Sequence, residues 1–242
     1  MLVYGKNVLY EIDRSKIKKA YISRNDYMAY LKENNIKYEY VDKNRLDKMV
    51  GGVHQGIVLD IFDYSYYTFD DIEGDFIVML DHLTDPHNFG AIIRTCESKG
   101  IKTIIIPKDR SVLVNDTVYK TSEGAIDNVK IVMVTNLINT INKLKEMNYF
   151  VYCADMDGED YRKVDFSGPR ALVVGSEGKG VSKLVKECCD KVISLPLKGK
   201  INSLNASVAA GILMYEVLRG RIQKWGGVDA GSELWENDRP CR

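Results

Sequence analysis

Between an apolar segment and a predicted helix the chain reads Val174-Gly175-Ser176-Glu177-Gly178-Lys179-Gly180-Val181-Ser182. Two other stretches share this layout, in which an apolar strand passes through small and polar residues into a helix. They read Leu80-Asp81-His82-Leu83-Thr84-Asp85-Pro86-His87-Asn88-Phe89-Gly90-Ala91-Ile92-Ile93-Arg94 and Leu195-Pro196-Leu197-Lys198-Gly199-Lys200-Ile201-Asn202-Ser203-Leu204-Asn205-Ala206-Ser207-Val208-Ala209. Because open α/β sheets bind ligands where strands end and helices begin, we expect the three stretches to form one site.

Strand and helix patterns alternate from residue 76 onward, which predicts an α/β fold with a mostly parallel sheet. The predicted strands span residues 76–80, 103–106, 129–134, 150–154, 171–174 and 192–195. The predicted helices span residues 89–99, 116–126, 137–147, 182–189 and 204–221. The last helix carries an apolar stripe that must be buried against the core or another subunit, formed by Leu204, Val208, Gly211, Ile212, Tyr215 and Leu218.

The first 62 residues predict a separate small α/β domain, with strands at 17–22, 37–41 and 57–61. Residues 63–75 are acidic and aromatic without a clear period, and we interpret them as a linker before the domain at 76–225. Residues 226–242 are Gly-rich and polar, which predicts a flexible tail.

Acidic and basic residues balance at 34 each, so the net charge gives no global indication of a nucleic-acid partner. Local positive charge occurs near the N-terminus and the third stretch, at Lys16, Lys18, Lys19, Arg24, Lys198, Lys200, Arg219 and Arg221. Taken alone, such clusters are more often solvated surface than binding patches.

No apolar run reaches the roughly 18 to 20 residues that span a bilayer, and the N-terminus lacks a signal-peptide pattern. We therefore expect a cytoplasmic protein without a membrane partner. The five cysteines include no C-x-x-C pair, which favours free thiols over a disulfide framework. His82 and His87 lie five residues apart without a further ligand pattern, so we expect no metal site.

The Gly175 loop by itself is a weak signal. Its glycines at 175, 178 and 180 have the wrong spacing for the dinucleotide fingerprint, and Val181 stands where a Walker loop needs Lys and Ser or Thr. The carboxylate of Glu177 would repel a pyrophosphate but is compatible with a cation or a ribose hydroxyl.

Together with the Ser203-Leu204-Asn205 segment the loop resembles the second and third motifs of the SpoU/TrmH family of RNA ribose 2'-O-methyltransferases. The resemblance implies S-adenosylmethionine as the cofactor, with Gly175, Leu195 and Leu204 among its contacts. It also implies a SPOUT-type parallel sheet with a C-terminal trefoil knot, a rare exception to the rule against threaded chains.

The resemblance further implies that Asn88 and Arg94 of the first stretch are catalytic. Helical spacing places these two side chains on roughly opposite sides of a helix, unless Asn88 is the N-cap and folds back. Read without the family, Asn88 is a routine cap and Arg94 a surface ion-pair partner. Our hypothesis is that Arg94 lies nearest the ribose hydroxyl, Asn88 and Asn205 orient it, Ser203 contacts substrate or Arg94, and Glu177 sets the local field.

We expect Arg94 to act as a cation rather than as a base. Deprotonating a guanidinium at neutral pH costs on the order of 8 kcal/mol, because its reference pKa lies near 12.5 to 13.8. A charged Arg94 can bind phosphate and lower the pKa of the hydroxyl, which leaves the base unassigned.

The N-terminal segments Val3-Tyr4-Gly5-Lys6-Asn7-Val8 and Gly52-Val53-His54-Gln55-Gly56-Ile57 resemble the ribosomal protein L30e-like substrate-binding domain of RlmB-type enzymes. That resemblance implies a 23S ribosomal RNA guanosine as the target and a homodimer as the assembly. The alternatives are a transfer-RNA 2'-O-methyltransferase, a non-catalytic RNA-binding ribosome-assembly factor and a nucleotide-dependent enzyme that uses the Gly175 loop.

Overall fold

The computed structural model describes residues 1–199 and 203–225, with side chains as far as residue 219. The N-terminal part forms a four-stranded sheet in the order β1-β4-β2-β3. Its strands are β1 (Leu2–Tyr4), β2 (Ile17–Ile22), β3 (Tyr38–Tyr40) and β4 (Ile57–Ile61), and its helices are α1 (Lys6–Glu11), α2 (Met28–Glu33) and α3 (Lys43–Met49). Strand β1 is too short to show an alternating pattern, so the sequence did not reveal it.

Helices cover both faces of this first sheet. Leu9 of α1 and Leu31 of α2 join a core with Ile22 of β2, whereas Leu46 of α3 packs with Val58 on the opposite face. Successive strand residues point to opposite faces, so neighbouring apolar residues supply both cores.

The second sheet contains six strands in the order β10-β8-β9-β5-β6-β7, and every neighbouring pair is parallel. The strands are β5 (Phe76–Asp81), β6 (Thr103–Pro107), β7 (Lys130–Val134), β8 (Phe150–Asp160), β9 (Arg170–Gly175) and β10 (Lys191–Ser194). The helices are α4 (Pro86–Ser98), α5 (Asp116–Ser122), α6 (Leu137–Glu146), α7 (Lys183–Cys188) and α8 (Ala206–Trp225). The predicted α/β class with a parallel sheet is confirmed.

The helices divide between the two faces of this sheet. Helices α4, α5 and α8 share a core with Val78 and Leu80 of β5, and α6 and α7 pack against Ile77 and Met79 of the same strand. With both faces covered, the strands are near-continuous apolar runs, as parallel sheets require.

The segment between the two sheets is packed rather than free. The phenol oxygens of Tyr64 and Tyr66 accept hydrogen bonds from the backbone N–H groups of Ile131 at 3.4 Å and Val114 at 2.8 Å. Burial raises the pKa of Tyr64 well above its usual range. The division at 62 and 75 stays a prediction, but this stretch contacts the C-terminal sheet along its length.

The long helix α8 is apolar on more than one side. Its buried face consists of Ala206, Ala210, Leu213, Met214 and Val217. The stripe predicted from the sequence lies mostly outside this face: Leu204, Val208, Ile212 and Tyr215 are 40%, 49%, 39% and 51% exposed. Core packing therefore does not account for that stripe.

Four of the cysteines are described and all are free thiols, with Cys96 and Cys153 buried and Cys188 and Cys189 half-buried. Cys241, Lys200 and the predicted flexible tail at 226–242 lie outside the described residues. Over the helices that the structure describes, none has the length and apolar character to cross a membrane.

Candidate functional site

The ends of β5 and β9 lie side by side, because Asp81 pairs in register with Gly175. The Asp81 side chain is 1% exposed, and its Oδ2 accepts a hydrogen bond at 2.6 Å from the backbone N–H of Ser182 at the far end of the Gly175 loop. A buried carboxylate at the end of a strand therefore fixes both ends of this loop. Sequence reasoning assigned Asp81 no role, although its position directly after an apolar strand was a usable signal.

The Gly175 loop turns back on itself so tightly that only glycine fits at its start. The backbone N–H of Gly180 donates to the carbonyl of Ser176 at 2.9 Å, and a Cβ on Gly175 would lie 2.0 Å from the carbonyl carbon of Gly180. The φ of Gly180 is +66°, in the left-handed region that favours glycine. The glycines at 175 and 180 therefore allow the loop to make this tight turn.

Three side chains from the three stretches form an amide–carboxylate cluster. Nδ2 of Asn205 donates to Oδ1 of Asn88 at 3.0 Å and to Oε1 of Glu177 at 2.9 Å, and Nδ2 of Asn88 donates to the same Glu177 oxygen. Asn88 is buried, whereas Glu177 and Asn205 are exposed. The cluster joins the beginnings of α4 and α8 to the Gly175 loop.

The two asparagines hold different positions in their helices. Asp85, not Asn88, is the N-cap of α4, since its carboxylate accepts hydrogen bonds from the backbone N–H groups of His87 and Asn88. The alternative that made Asn88 the N-cap is therefore wrong, and its side chain is free to reach Glu177. Asn205 does cap its helix, because its Oδ1 accepts from the backbone N–H of Ser207 at 2.9 Å.

A cavity of about 530 Å³ opens beside this cluster. The residues predicted to contact a cofactor, Gly175, Leu195 and Leu204, all line it, as do Glu177 and Ser203. The remaining wall comes from the loop at 174–180, from Ile193 and Leu197, from Ala206 and Ala209 of α8, and from Ala154, Asp155, Met156 and Asp157 of β8. Its walls combine apolar side chains with backbone and carboxylate groups, as small-molecule sites do.

Arg94 does not join the cluster. Its guanidinium lies 2.8 Å from Oε1 of Glu123 at the end of α5, with the Arg94 side chain 58% exposed. In the single chain Arg94 therefore lies beside α5, because a six-residue step along α4 turns it away from Asn88. That Arg94 lies nearest the reacting group stays a prediction. Ser203 lines the cavity, whereas Arg94 and Glu123 do not.

The acidic residues of β8 were missed by sequence reasoning. Nζ of Lys186 on α7 lies 2.9 Å from Asp155 Oδ1 and 3.6 Å from Asp157 Oδ2. Partial burial raises the pKa of Asp155, but hydrogen bonds from Lys186 and the Asp157 backbone outweigh it, and the net pKa is lowered. Asp155 is therefore ionised at neutral pH.

One of the two histidines considered as metal ligands, His82, forms a local contact with its neighbour in sequence. His82 Nδ1 contacts Oδ1 of Asp81, and His82 has a positive φ of 56°. Among the residues that the structure describes, no group of three or more His, Cys, Asp or Glu side chains is arranged to hold a metal ion.

Two family patterns together match most of the chain. The pattern of the SpoU rRNA Methylase family matches residues 75–215. A second pattern, for RNA 2'-O ribose methyltransferase substrate binding, matches residues 2–67.

Individual proteins match over similar spans. YacO of Bacillus subtilis (strain 168), assigned to the TrmH family of tRNA/rRNA methyltransferases, is 44% identical over 237 residues, 90% of this chain and 95% of that protein. The AdoMet-bound rRNA methyltransferase of Sinorhizobium meliloti superposes with a TM-score of 0.77 at 25% identity, over 90% of this chain and 86% of that one. The TrmH/SpoU tRNA modifying enzyme of A. aeolicus superposes with a TM-score of 0.58 at 32% identity, over 63% of this chain and 78% of that one.

Proposed function

This chain belongs to the SpoU rRNA methylase family, and on that premise we propose that it methylates a ribose 2'-hydroxyl of ribosomal RNA. It is an RNA methyltransferase, and its cofactor is S-adenosylmethionine. The observation that carries the proposal is the convergence of Gly175, Glu177, Leu195, Ser203 and Leu204 on one cavity. Family membership also removes the reason to interpret the Gly175 loop as a site for NAD or ATP.

The cavity fits the cofactor in size and chemistry. Cavities of roughly 300 to 1,000 Å³ hold ligands of this class, and this one measures about 530 Å³. Leu195, Leu197 and Leu204 offer apolar surface for an adenine ring, and the loop from Gly175 to Gly180 offers backbone groups. When bound, S-adenosylmethionine supplies an electrophilic methyl group carried on a sulfonium.

We propose that the amide–carboxylate cluster positions the ribose. Glu177 lines the cavity, and the described side chains of Asn88 and Asn205 engage only its Oε1. Its Oε2 can therefore accept a hydrogen bond from a ribose hydroxyl, while the two amides hold the carboxylate in place. Ser203 lines the same wall and can contact the sugar. Holding the acceptor oxygen in line with the methyl group supplies a large part of the rate acceleration.

For Arg94 the proposed role is to bind an RNA phosphate. The guanidinium is more than half exposed, and its ion pair with Glu123 is a surface pair that stabilises the fold by less than about 1 kcal/mol. A phosphate can therefore replace Glu123. This cation can bring substrate to the cluster and lower the pKa of a nearby hydroxyl without losing its own proton.

Ribosomal RNA is favoured over transfer RNA by the extent of the structural matches. The rRNA methyltransferase of Sinorhizobium meliloti aligns with 90% of this chain. Residues 76–242 make up a smaller share than that, so the alignment extends into the N-terminal domain. The tRNA modifying enzyme aligns with 63%. We propose that the target is a guanosine of 23S rRNA and that the N-terminal domain, L30e-like in fold, binds the RNA around it. Transfer RNA remains the alternative substrate.

The proposal includes a trefoil knot in the C-terminal domain. Strand β10 lies at the sheet edge beside β8, yet α8, which follows it, packs against α4 and β9. The chain after β10 thus returns past the Gly175 loop, and both segments line one cavity. Such a return is what threading through that loop requires.

A homodimer and a cytoplasmic location complete the proposal. The exposed apolar stripe of α8 supports the dimer, because Val208, Ile212 and Tyr215 are 49%, 39% and 51% exposed. The cytoplasm holds both ribosomal RNA and the methyl donor.

The function is tested by incubating the purified protein and labelled S-adenosylmethionine with 23S rRNA, 16S rRNA or total tRNA. We expect label in 23S rRNA at one 2'-O-methylated guanosine. Its position is mapped by the resistance of the adjacent phosphodiester bond to alkaline hydrolysis. Label confined to tRNA would establish the alternative substrate. RNA binding without transfer would instead favour a ribosome-assembly factor.

A further inference from the structure

Strand β8 bulges at the edge of the cofactor cavity. Cys153 lies opposite Val192 and Glu159 lies opposite Ile193, so residues 154–158 project between two adjacent positions of β10. Bulges beside functional sites re-aim side chains that a regular strand would direct elsewhere. The side chains re-aimed here belong to Asp155, Met156 and Asp157, which line the cavity.

The base of the bulge is held in one conformation. A Cβ on Gly158 would lie 2.5 Å from the carbonyl carbon of Ile193, so the two backbones touch and only glycine fits. The hydroxyl of Ser194 donates to the Gly158 carbonyl at 2.8 Å. On the cavity side, the Asp157 backbone N–H donates to Asp155 Oδ1 at 3.1 Å. The two carboxylates are therefore presented at defined positions.

The charge at the cavity is negative. Among the described residues that line it, Asp155, Asp157 and Glu177 are acidic and Lys179 is the one cation. Lys186 neutralises one charge of the aspartate pair, and Glu177 has neutral amides as its partners. One negative charge therefore remains in excess over these described groups, and it lies toward Asp157, whose side chain is 81% exposed and farther from Lys186.

The substrate and product forms of the cofactor differ in charge at one atom. S-adenosylmethionine carries a sulfonium cation, and methyl transfer leaves S-adenosylhomocysteine with a neutral thioether. Adenine, ribose and amino-acid groups are common to both. A negative cavity wall therefore favours the methyl donor over the spent product by electrostatics alone.

We propose that the bulge at residues 154–158, through Asp157 and Asp155, selects the cationic methyl donor over the neutral product and so limits product inhibition. This inference rests on the proposed function, because it concerns the same cofactor cavity. The competing interpretation is that the carboxylates accept hydrogen bonds from the ribose hydroxyls of the cofactor, as acidic residues do in dinucleotide sites. That contact would serve donor and product equally.

The test compares three ligands by isothermal titration calorimetry: S-adenosylmethionine, S-adenosylhomocysteine and sinefungin, in which an amine cation replaces the sulfonium. For Asp157→Asn we expect a loss of about three- to tenfold in affinity for the two cationic ligands. The affinity for S-adenosylhomocysteine should stay within about twofold, because that ligand carries no charge at the sulfur position. The preference should also shrink with added salt in the unmodified protein.

Two further variants serve as a control and as a test of the opposite effect. Glu159→Gln removes the same charge two residues away, where the carboxylate pairs with Lys191 at 2.9 Å outside the cavity, and should leave all three affinities unchanged. Lys186→Gln removes the neutralising cation and should move the preference in the opposite direction, toward the cationic ligands.

The outcomes distinguish charge selection from ribose recognition. Equal losses for all three ligands in Asp157→Asn would establish ribose recognition and overturn charge selection. An unchanged preference would also overturn it. If the unmodified protein bound none of the three ligands, the proposed function itself would fail, and this inference with it.

Discussion

Glu177 accepts hydrogen bonds from two asparagines that are 117 residues apart in sequence. Each asparagine lies at the beginning of a helix, where the backbone N–H groups favour a nearby negative charge. A carboxylate held by two amide donors loses much of its rotational freedom at the wall of the cavity. The arrangement suits the orientation of a sugar hydroxyl.

For Glu177→Gln we expect the kcat of methyl transfer to fall about 10- to 100-fold, because the new amide group opposes the Nδ2 donors of Asn88 and Asn205. Initial rates with saturating RNA and S-adenosylmethionine measure this loss. Glu187→Gln is the matched control, since that glutamate is 57% exposed and its ion pair among the described residues is an i,i+4 pair with Lys183. Equal rates for both variants would remove Glu177 from the reaction.

Replacing Arg94 tests its proposed phosphate contact. Arg94→Ala should weaken RNA binding about tenfold and reduce the dependence of log affinity on log salt by about one unit, because one phosphate contact is lost. Cofactor affinity should not change. Filter binding at several salt concentrations measures both quantities.

Arg94→Lys separates charge from geometry, because lysine keeps the cation but lacks the bidentate fork. Near-normal methylation in this variant would show that only the positive charge of Arg94 matters and not its bidentate geometry. An unchanged salt dependence in Arg94→Ala would exclude the phosphate contact altogether.

At the scale of elements, α8 is apolar over more of its circumference than one core can use. Leu213, Met214 and Val217 pack inward, whereas Val208, Ile212 and Tyr215 face outward. A helix that is apolar on both sides is typical of one buried between a core and a second surface. The exposed side therefore supports the proposed dimer.

Introducing charges into this stripe should dissociate the dimer. The double change Val208→Lys and Ile212→Glu keeps the net charge and touches only half-exposed side chains, so the monomer should stay folded. We expect the sedimentation coefficient to change from that of a dimer to that of a monomer at micromolar concentration, with an unchanged circular dichroism spectrum.

Leu184→Lys provides the control on another helix, since Leu184 of α7 is 63% exposed and lies outside the stripe. This variant should sediment as the unmodified protein does. A double variant of α8 that still sediments as a dimer would contradict the assignment of the interface.

At the scale of the whole molecule, the two sheets are joined through Asp127, which follows α5. Its carboxylate accepts a hydrogen bond at 2.8 Å from the backbone N–H of Asp13 and contacts the ammonium of Lys16. Nearby, the Lys120 ammonium lies 5.1 Å from the centre of the Tyr4 ring. The N-terminal domain is therefore docked on α5, which packs against α4, the helix that carries Asn88 and Arg94.

Asp127→Asn should loosen this docking without unfolding either sheet, because it removes one charge from a partly buried pair. We expect a loss of about 1 kcal/mol in the free energy of unfolding and faster amide exchange along β1 and α5. Methylation of RNA should fall, whereas cofactor affinity should not.

Hydrogen exchange followed by mass spectrometry measures the loosening by segment. Asp26→Asn is the control, because that aspartate pairs with Arg24 on an exposed surface. Equal exchange in both variants would show that Asp127 does not hold the domains together.

Much of the architecture follows from local sequence signals. Alternating apolar segments predict the strands of the parallel sheet, and the glycines of the Gly175 loop predict a tight strand-to-helix turn. Gly175, Leu195 and Leu204 are named as cofactor contacts only through the resemblance of these short segments to the SpoU/TrmH motifs. These features depend on residues close together in the chain, and periodicity and turn chemistry report on such residues directly.

Other features depend on which distant residues meet, and only the tertiary structure decides them. Asp85 rather than Asn88 caps α4, Arg94 turns to Glu123, and one side of α8 is left exposed. The bulge of β8 that directs Asp157 into the cavity depends on the register between β8 and β10. Sequence patterns specify the face on which a side chain lies, whereas its partner is set by packing between elements that the chain brings together from far apart.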